Sequence, residues 1–301
     1  MRHTVKVIGS VIVAVAVAGA AVAVSGLVLA KRKLNRVVKL DVAAVTYAEG
    51  DAAIRRGQYL FESRGCAECH GADARGKLLI NDSHGMFVKT PNLTRGPGGV
   101  AARYRAVDWV RTLRHGVKPD GHPLRFMPAE IFNRLTDDDL AAIVAYVRSL
   151  PPRNGSGAEI RFPVMYKILY GLGVIEDAAQ RIDHNLPPSL PVPVGPTAAY
   201  GAYVSNMCVG CHGAHFSGGR IVGGSPDWPP AANLTPGEGS VMPRYASLDL
   251  FKAMFRSGRR PDGSPINPAM PFESLAMFSD TDIAAVYTFL KTLPPLPAGS
   301  H

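Results

Sequence analysis

The sequence predicts an all-α protein in which two tandem domains of the same plan follow an apolar N-terminal helix. Two observations carry this prediction. The stretch Val7–Ala30 contains no charged residue, and a Cys-x-x-Cys-His motif occurs twice, 142 positions apart, each time followed by a similar run that ends in Pro-Pro. The 301 residues, 47% of them apolar, suffice for two domains with their own cores.

The N-terminal stretch predicts a membrane-spanning helix, because 24 uncharged residues are long enough to cross a hydrocarbon core of about 30 Å. A cleaved secretory signal is the alternative, since Ala21-Val22-Ala23 is typical of a cleavage site, although signal cores usually run about 7–15 residues. Either interpretation exports the rest of the chain. Two basic residues precede the stretch and four follow it, a count that would by itself leave the body in the cytoplasm.

The formal charge of +9 is concentrated beside this helix. Six basic residues and no acid precede position 37, and the rest of the chain carries 27 basic and 24 acidic residues. Basic groups that bracket an apolar stretch are typical of a membrane segment, and no basic patch elsewhere indicates DNA or RNA as a partner.

All four cysteines fall in the two repeated motifs. Zinc sites built from two Cys pairs usually space the pairs by about 15–20 residues, and a thioredoxin-like pair needs a surrounding βαβ pattern. Two disulfides would also use all four cysteines. None of these three alternatives explains why a histidine follows each pair. Two thiols three positions apart can instead form thioethers to one haem whose iron the following histidine binds. The sequence therefore predicts two covalently attached c-type haems, held by these residues: Cys66, Cys69 and His70; Cys208, Cys211 and His212.

The internal repeat predicts the sixth iron ligands. Met127 and Met270, each followed by proline, lie 57 and 58 residues after His70 and His212, and each precedes its Pro-Pro by 24 residues. Met254 instead shares helical spacing with apolar neighbours, which predicts a core position. We therefore expect His/Met ligation at both irons.

Each half is predicted to end in a closing helix. An apolar stripe at positions i, i+3, i+4, i+7 and i+10 begins at Leu140 and recurs from Ile283. The spacing of Thr136 with Asp139, repeated further along the chain by serine and aspartate, predicts an N-terminal cap, and Pro-Pro ends each helix.

A second helix is predicted to lead into each Cys motif and to cross the closing helix, with Gly57 and Gly201 permitting close packing. Between the halves, a Pro/Gly-flanked linker has an apolar middle that predicts a short amphipathic helix. That helix would pack between the two domains, or touch the membrane or a partner.

The predicted ranges are an anchor at 1–36, a tether at 37–50, the first domain at 51–152, the linker at 153–196, the second domain at 197–296 and a tail at 297–301.

Several polar residues outside the attachment motifs also have predicted roles. Asn92-Leu93-Thr94 and Asn233-Leu234-Thr235 match a glycosylation sequon, yet their equal placement in the repeats favours loops against the haems, with side chains reaching the propionates. The three arginines Arg114, Arg220 and Arg256 are further candidates for propionate contacts. His115 and His122 have no histidine counterpart in the second half and are predicted to lie on the surface or in loops, and His184 has a structural role by default.

From the entering helix to the closing helix, each half resembles a class I cytochrome c domain, over about residues 50–152 and 197–296. The runs "PNLT", "ANLT" and "LTDDDLAAIVAYVRSLPP" are similar to the cytochrome subunits of membrane-bound alcohol and gluconate dehydrogenases. Those subunits carry three haems, whereas this chain has two motifs and an N-terminal anchor. The resemblance to c-type cytochromes implies that the haems are attached at the outer face of a bacterial inner membrane, so that both domains face the periplasm.

The function predicted from these features is electron transfer by a membrane-anchored dihaem cytochrome c, with no catalytic residue. Its expected partners are redox proteins of the periplasm or inner membrane, including a dehydrogenase or oxidase complex, and membrane lipid around the N-terminal helix. One alternative is a dihaem peroxidase, in which one iron opens its sixth position. Another is an electron-accepting subunit of a larger dehydrogenase or oxidase complex. A thiosulfate-oxidising cytochrome would need a cysteine ligand, and all four cysteines are already used.

Overall fold

The computed structural model describes residues 2–300 apart from 222, 223 and 226, with side chains from residue 6 onward. Met1 and His301, the ends of the predicted anchor and tail, lie outside the described residues. The α-helices in chain order are α1 (Arg2–Leu34), α2 (Asp51–Ser63), α3 (Cys66–His70), α4 (Ala106–His115), α5 (Asp137–Ser149), α6 (Val164–Gly171), α7 (Ala178–Arg181), α8 (Ala198–Ser205), α9 (Val209–His212), α10 (Leu248–Ser257), α11 (Phe272–Leu275) and α12 (Asp280–Leu290). Short 3₁₀ turns occupy Ala129–Ile131, Asn206–Cys208 and Met242–Arg244.

A small antiparallel sheet accompanies the helices, in the order β1 (Leu78–Asn81), β2 (Phe87–Lys89) and β3 (Glu159–Arg161). The all-α prediction is confirmed in that the chain is mostly helical. The sequence analysis does not predict this sheet, because its strands are only three or four residues long. In addition, β3 comes from the predicted linker and pairs with β2 from a distant part of the chain.

The entering and closing helices cross in each domain, as the sequence predicts. In the first domain α2 packs on α5, and a Cβ at Gly57 would stand 1.9 Å from the carbonyl oxygen of Ala142. In the second, α8 packs on α12, and a Cβ at Gly201 would stand 2.0 Å from the carbonyl oxygen of Ala285. Only glycine permits these backbones to approach so closely.

Both closing helices begin at the predicted caps. The Thr136 hydroxyl accepts a hydrogen bond from the backbone N–H of Asp139 at 3.1 Å, and Ser279 does the same for Asp282 at 3.0 Å. α5 ends at Ser149, two positions before Pro151, whereas α12 ends at Leu290, four positions before Pro294. Each helix buries its apolar stripe in its own domain core.

The segment predicted as a tether lies against the first domain. Val42, Val45 and Tyr47 pack on its core, and the guanidinium of Arg148 lies 4.1 Å from the Tyr47 ring centroid. The linker helix α6 packs on α1 rather than between the domains, so the first of the two placements considered for it is wrong. Periodicity marks an apolar face but does not say which surface covers it.

Candidate haem sites

Each Cys-x-x-Cys-His motif lies on a short helix that follows the entering helix. In α3, Cys66 and Cys69 are three positions apart and therefore share a face, and the helix ends at Gly71, whose φ is +81°. The second motif begins at Cys208 and continues through α9 to Gly213, with φ +76°. All four cysteines lie in the described part of the chain, and none is paired in a disulfide.

Both motif histidines are oriented by the same backbone contact. The Nδ1 of His70 lies 3.2 Å from the carbonyl oxygen of Pro91, and the Nδ1 of His212 lies 2.8 Å from that of Ala232. A proton on Nδ1 donated to these carbonyls leaves Nε2 as the lone-pair nitrogen, which is how metal-binding imidazoles are usually held. Sequence reasoning missed this contact, although both carbonyls directly precede the repeated Asn-Leu-Thr.

Burial sets the protonation of these groups. It raises the pKa of the Cys66 and Cys208 thiols to about 12 and lowers the pKa of His70 to about 4, with that of His212 lowered for the same reason. Near neutral pH each imidazole is therefore uncharged and able to donate a lone pair to a metal.

The two repeat methionines lie at equivalent places. Met127 packs, with Cys66, against the core of the first domain, and Met270 packs, with Cys208, against that of the second. The structure thus brings the predicted sixth ligand and the attachment helix of each domain to one core. Met254 is 4% exposed inside the second core, where the sequence predicts it.

Among the described residues, Trp109 on α4 has a buried indole N–H without a hydrogen-bond partner. Its ring packs edge-on to Tyr104, 5.0 Å between centroids, in the same core as Met127 and Cys66. Buried indole N–H groups usually find an acceptor. A haem held by the neighbouring Cys, His and Met side chains would bring carboxylates to this core, so the residues present fit that cofactor.

The repeated Asn-Leu-Thr motifs hold loops together through hydrogen bonds to backbone carbonyls. Asn92 is 0% exposed, and its amide donates to the carbonyls of Pro97 and Arg153, at 3.3 and 2.8 Å. Asn233 donates in the same way to Glu238 and Leu296, at 3.0 and 2.8 Å. The prediction that these side chains reach propionates is wrong, because the amide donors of both asparagines are used to tie the loop to the chain beyond the closing helix.

The arginines Arg114 and Arg256 also have structural partners. Arg114 is buried. Its Nη2 donates to the carbonyl of Leu135 at 2.7 Å and lies 2.7 Å from the carboxylate of Asp137. Arg256 contacts the carbonyl of Ala276 and pairs with Asp280 at 2.9 Å. Both therefore brace the start of a closing helix, and their guanidinium groups have partners within the protein.

His115 is nearly buried, which corrects the prediction of a surface or loop residue. Its Nδ1 lies 3.1 Å from the Nδ1 of His184, whose Nε2 lies 3.0 Å from the carbonyl of Ala179. Burial and the neighbouring His184 lower the pKa of His115 to about 4. The pair joins α4 to the linker, a structural role that the sequence conceals because the two histidines are 69 positions apart. His122 lies in the turn beside Asp120, as predicted.

The two domains meet through a reciprocal contact. The Tyr59 hydroxyl of α2 donates to Asp282 of α12 at 2.7 Å, and the Tyr203 hydroxyl of α8 donates to Asp139 of α5 at 2.6 Å. The two tyrosines occupy equivalent positions, two residues after the glycine of their entering helices, and the two aspartates occupy equivalent caps. The domains are therefore related by an approximate two-fold arrangement.

The attachment helices take part in the same interface. Glu68, between the cysteines of α3, accepts from the backbone N–H of Ser274 on α11 at 2.7 Å. On the other side, Asn206 donates to the carbonyl of Ile131 at 2.9 Å. Each attachment helix thus lies against the segment that follows the Met-Pro pair of the other domain.

Arg64 is the charged centre of this interface. It is 5% exposed, it pairs with Asp282 at 2.5 Å, and its positive charge acts on both Cys66 and Cys208. Burial disfavours ionisation of Asp282, but Arg64 and the hydroxyls of Tyr59 and Tyr200 outweigh it and hold the pKa of this carboxyl below its usual range. The ion pair therefore stays charged at neutral pH.

Comparison with known proteins agrees with this architecture. A family model described as cytochrome c matches residues 54–151 and 198–294. The fructose dehydrogenase cytochrome subunit of Gluconobacter japonicus is 29% identical over 80% of this chain and 53% of its own length. The cytochrome c subunit of the quinone alcohol dehydrogenase of Gluconobacter oxydans is 26% identical over 83% of this chain and 57% of its own.

A diheme cytochrome c-type protein of Cereibacter sphaeroides is 30% identical over 46% of this chain and 50% of its own length. The chain thus spans a little over half the length of the dehydrogenase subunits it resembles. All three relatives are named as cytochromes and none as a catalytic subunit, in agreement with the prediction of an electron carrier. Each matched segment contains one attachment motif, one of the two repeat methionines Met127 and Met270, and one closing helix. The chain therefore belongs to the cytochrome c family and carries covalently attached haem.

Proposed function

We propose that the protein is a membrane-anchored, periplasm-facing dihaem cytochrome c that passes single electrons between two His/Met-ligated haems and onward to a redox partner. Cys66, Cys69, His70 and Met127 would hold one haem, and Cys208, Cys211, His212 and Met270 the other. When bound, each haem supplies an iron that cycles between ferric and ferrous states.

The observation that carries the proposal is the reciprocal interface. Because Glu68 contacts α11 and Asn206 contacts the turn before α5, both attachment helices lie where the two domains meet. Cofactors attached to these helices would lie close to that interface. The Tyr59 and Tyr203 contacts fix the separation of the two sites, which is what a rigid electron path requires.

The residues around each site keep its ligands in one arrangement. The carbonyls of Pro91 and Ala232 hold the imidazoles, and the buried Asn92 and Asn233 hold the loops that carry those carbonyls. A fixed imidazole supports electron transfer, and the methionine at the equivalent place in each repeat offers a sixth ligand, which favours a carrier over a peroxidase.

The apolar helix α1 supports membrane retention. It contains a long apolar window of mean hydropathy 2.6, and its apolar side chains are exposed over most of its length. Of the four basic residues that follow the apolar stretch, Lys33 donates to the Tyr170 carbonyl and Arg36 pairs with Asp177.

A dehydrogenase complex is the proposed electron donor, because two of the relatives described above are named as subunits of fructose and alcohol dehydrogenases.

The test is spectroscopic and uses the full chain purified from detergent-solubilised membranes. Intact mass should equal the polypeptide with two haems. The oxidised protein should show the near-infrared band of methionine-to-iron ligation at the intensity of two haems. A mass with one haem, or a high-spin signal from one iron, contradicts the proposal, and proteins that co-purify identify the partner.

A further inference from the structure

We propose that the linker helix α6 is a membrane-interface helix, which lies in the outer leaflet beside α1 and contacts phospholipid through an apolar surface. This inference rests on the proposed retention of α1 in the membrane. The surface consists of four exposed side chains on and just beyond α6, here called the α6 surface: Val164, Met165, Leu172 and Val174.

The depth of α6 follows from its contact with α1. A Cβ at Gly171 would stand 1.9 Å from the carbonyl oxygen of Gly26, and a Cβ at Gly26 would stand 3.0 Å from Ile168. Two helices joined by such a glycine contact lie at the same level. Gly26 belongs to the uncharged stretch of α1, so the end of α6 lies beside a part of α1 that the membrane covers.

The first charged residue after the apolar stretch gives an estimate of how deep α6 lies in the membrane. Lys31 follows Gly26 by five positions, about 7.5 Å along a helix. Amphipathic helices that lie on membranes bury their apolar face about 5–10 Å below the headgroups. With Lys31 at the level of the phosphates, α6 therefore lies at the depth that such helices occupy.

The composition around α6 fits lipid better than a protein partner. From Arg161 to Ile175 the chain has two basic residues and no acidic one, as expected beside anionic headgroups. Tyr166, in the same stretch, is partly exposed, and aromatic residues are enriched at membrane interfaces. The exposed side chains of the α6 surface are purely apolar.

Polar contacts hold α1 and α6 together at the end of the pair that lies farther from the membrane. Arg36 makes two hydrogen bonds to Asp177, at 2.6 and 2.7 Å, and Tyr170 donates to the same carboxylate at 2.5 Å. Asp177 caps α7, so the end of the anchor is joined directly to that helix.

The clamp reaches the first haem site. On α7, Arg181 pairs with Glu130, and Ala178 packs against Ala129, in the turn that follows Met127. The first domain is therefore held in one orientation to the bilayer, with the loop that follows Met127 joined to the anchor. The segment between the anchor and the first domain is therefore held rigidly by these contacts and does not act as a flexible tether.

The test compares two engineered cysteines in full-length protein reconstituted in phospholipid nanodiscs containing an anionic lipid. Met165→Cys lies on the α6 surface, and Met277→Cys is the matched control in the second domain. The native side chains are 64% and 48% exposed, so without lipid the first should react at least as fast as the second. We expect Met165→Cys to react with a charged, membrane-impermeant maleimide about tenfold more slowly than Met277→Cys, because lipid covers it.

Equal reaction rates in nanodiscs would overturn the inference. A second measurement separates this outcome from failure of the anchor itself: a phospholipid with a photoactivatable acyl chain is irradiated in the same nanodiscs, and adducts are located by mass spectrometry. Adducts on residues 7–30 and 162–175 support the inference. Adducts on 7–30 alone overturn it while the anchor stands, and adducts on neither segment overturn both.

Discussion

The hydroxyl of Tyr59 lies 2.7 Å from the carboxylate of Asp282, on the closing helix of the other domain and 223 positions away in sequence. The equivalent pair, Tyr203 and Asp139, makes the same contact in the opposite direction at 2.6 Å. Each aspartate lies in the first turn of a closing helix, so the interface is built on the elements that define each domain. This geometry makes the stability of one domain depend on the other.

Removing the Tyr59 hydroxyl tests that dependence. Tyr59→Phe loses a hydrogen bond to a charged acceptor, which typically contributes about 1.5–3 kcal/mol. We expect guanidinium unfolding to show that loss, with a transition that broadens or separates as the domains uncouple. Tyr104→Phe is the control, because its hydroxyl has only a 3.5 Å contact with Thr112 inside one domain. Equal effects of the two substitutions would refute the role of the interface.

Asp282→Asn tests the electrostatics of the interface. Because the pKa of Asp282 is lowered in the folded state, its contribution to stability is present above its ordinary pKa of about 4 and is lost as the pH falls through the folded value. The substitution also leaves Arg64 buried without its counter-charge, which typically costs about 3–5 kcal/mol.

The difference in unfolding free energy between wild type and Asp282→Asn should therefore be large at pH 7 and should shrink as the pH falls from 5 to 3. Thermal unfolding followed by calorimetry over that range measures it. Asp249→Asn, an exposed carboxylate in the same domain, is the control and should change stability by less than about 0.5 kcal/mol. A difference that is constant with pH would contradict the proposed ion pair.

Replacing the predicted sixth ligands one at a time should affect one haem each. In Met127→Leu and Met270→Leu, loss of the sulfur should halve the near-infrared band of the oxidised protein and shift one of two reduction potentials. Met254→Leu, inside the second core, should leave the band unchanged. A band at full intensity in either ligand variant would show that another residue binds that iron.

Adding one methyl group at the helix crossings should destabilise each domain. Gly57→Ala would place its Cβ 1.9 Å from the Ala142 carbonyl, and Gly201→Ala would place its own 2.0 Å from that of Ala285. Overpacking of this kind costs about 1–3 kcal/mol, measured as a lower midpoint of thermal unfolding. Gly157→Ala, whose Cβ meets no atom within 4 Å, is the control and should unfold like wild type.

The buried asparagines should stabilise their loops without taking part in electron transfer. Asn92→Ala leaves the carbonyls of Pro97 and Arg153 without their donor and should cost about 1–3 kcal/mol. Asn233→Ala should do the same in the second domain. The visible spectrum of the folded variants should match wild type, whereas a change in haem absorption with unchanged stability would favour the propionate role that the structure argues against.

Residues whose roles depend on local pattern were predictable. The spacing of the attachment motifs, the caps at Thr136 and Ser279 and the helix-crossing glycines all follow from short-range geometry, and the internal repeat added the register that singles out Met127 and Met270. Polar residues were less predictable. Asn92, Arg114 and His115 were assigned to the cofactor or the surface, because a sequence does not show whether a backbone carbonyl or a side chain from another element already satisfies them.

By itself, the sequence determined the family, the helices that build each domain, the residues expected to hold haem and the apolar segment at the N-terminus, since each depends on spacing along one stretch of chain. Only the tertiary structure decided that the two domains face each other through Tyr59–Asp282 and Tyr203–Asp139, and that α6 lies on α1 and not between the domains. These contacts join residues more than 60 positions apart, and their free energy depends on burial and on the partners of each polar group, which local sequence patterns do not encode.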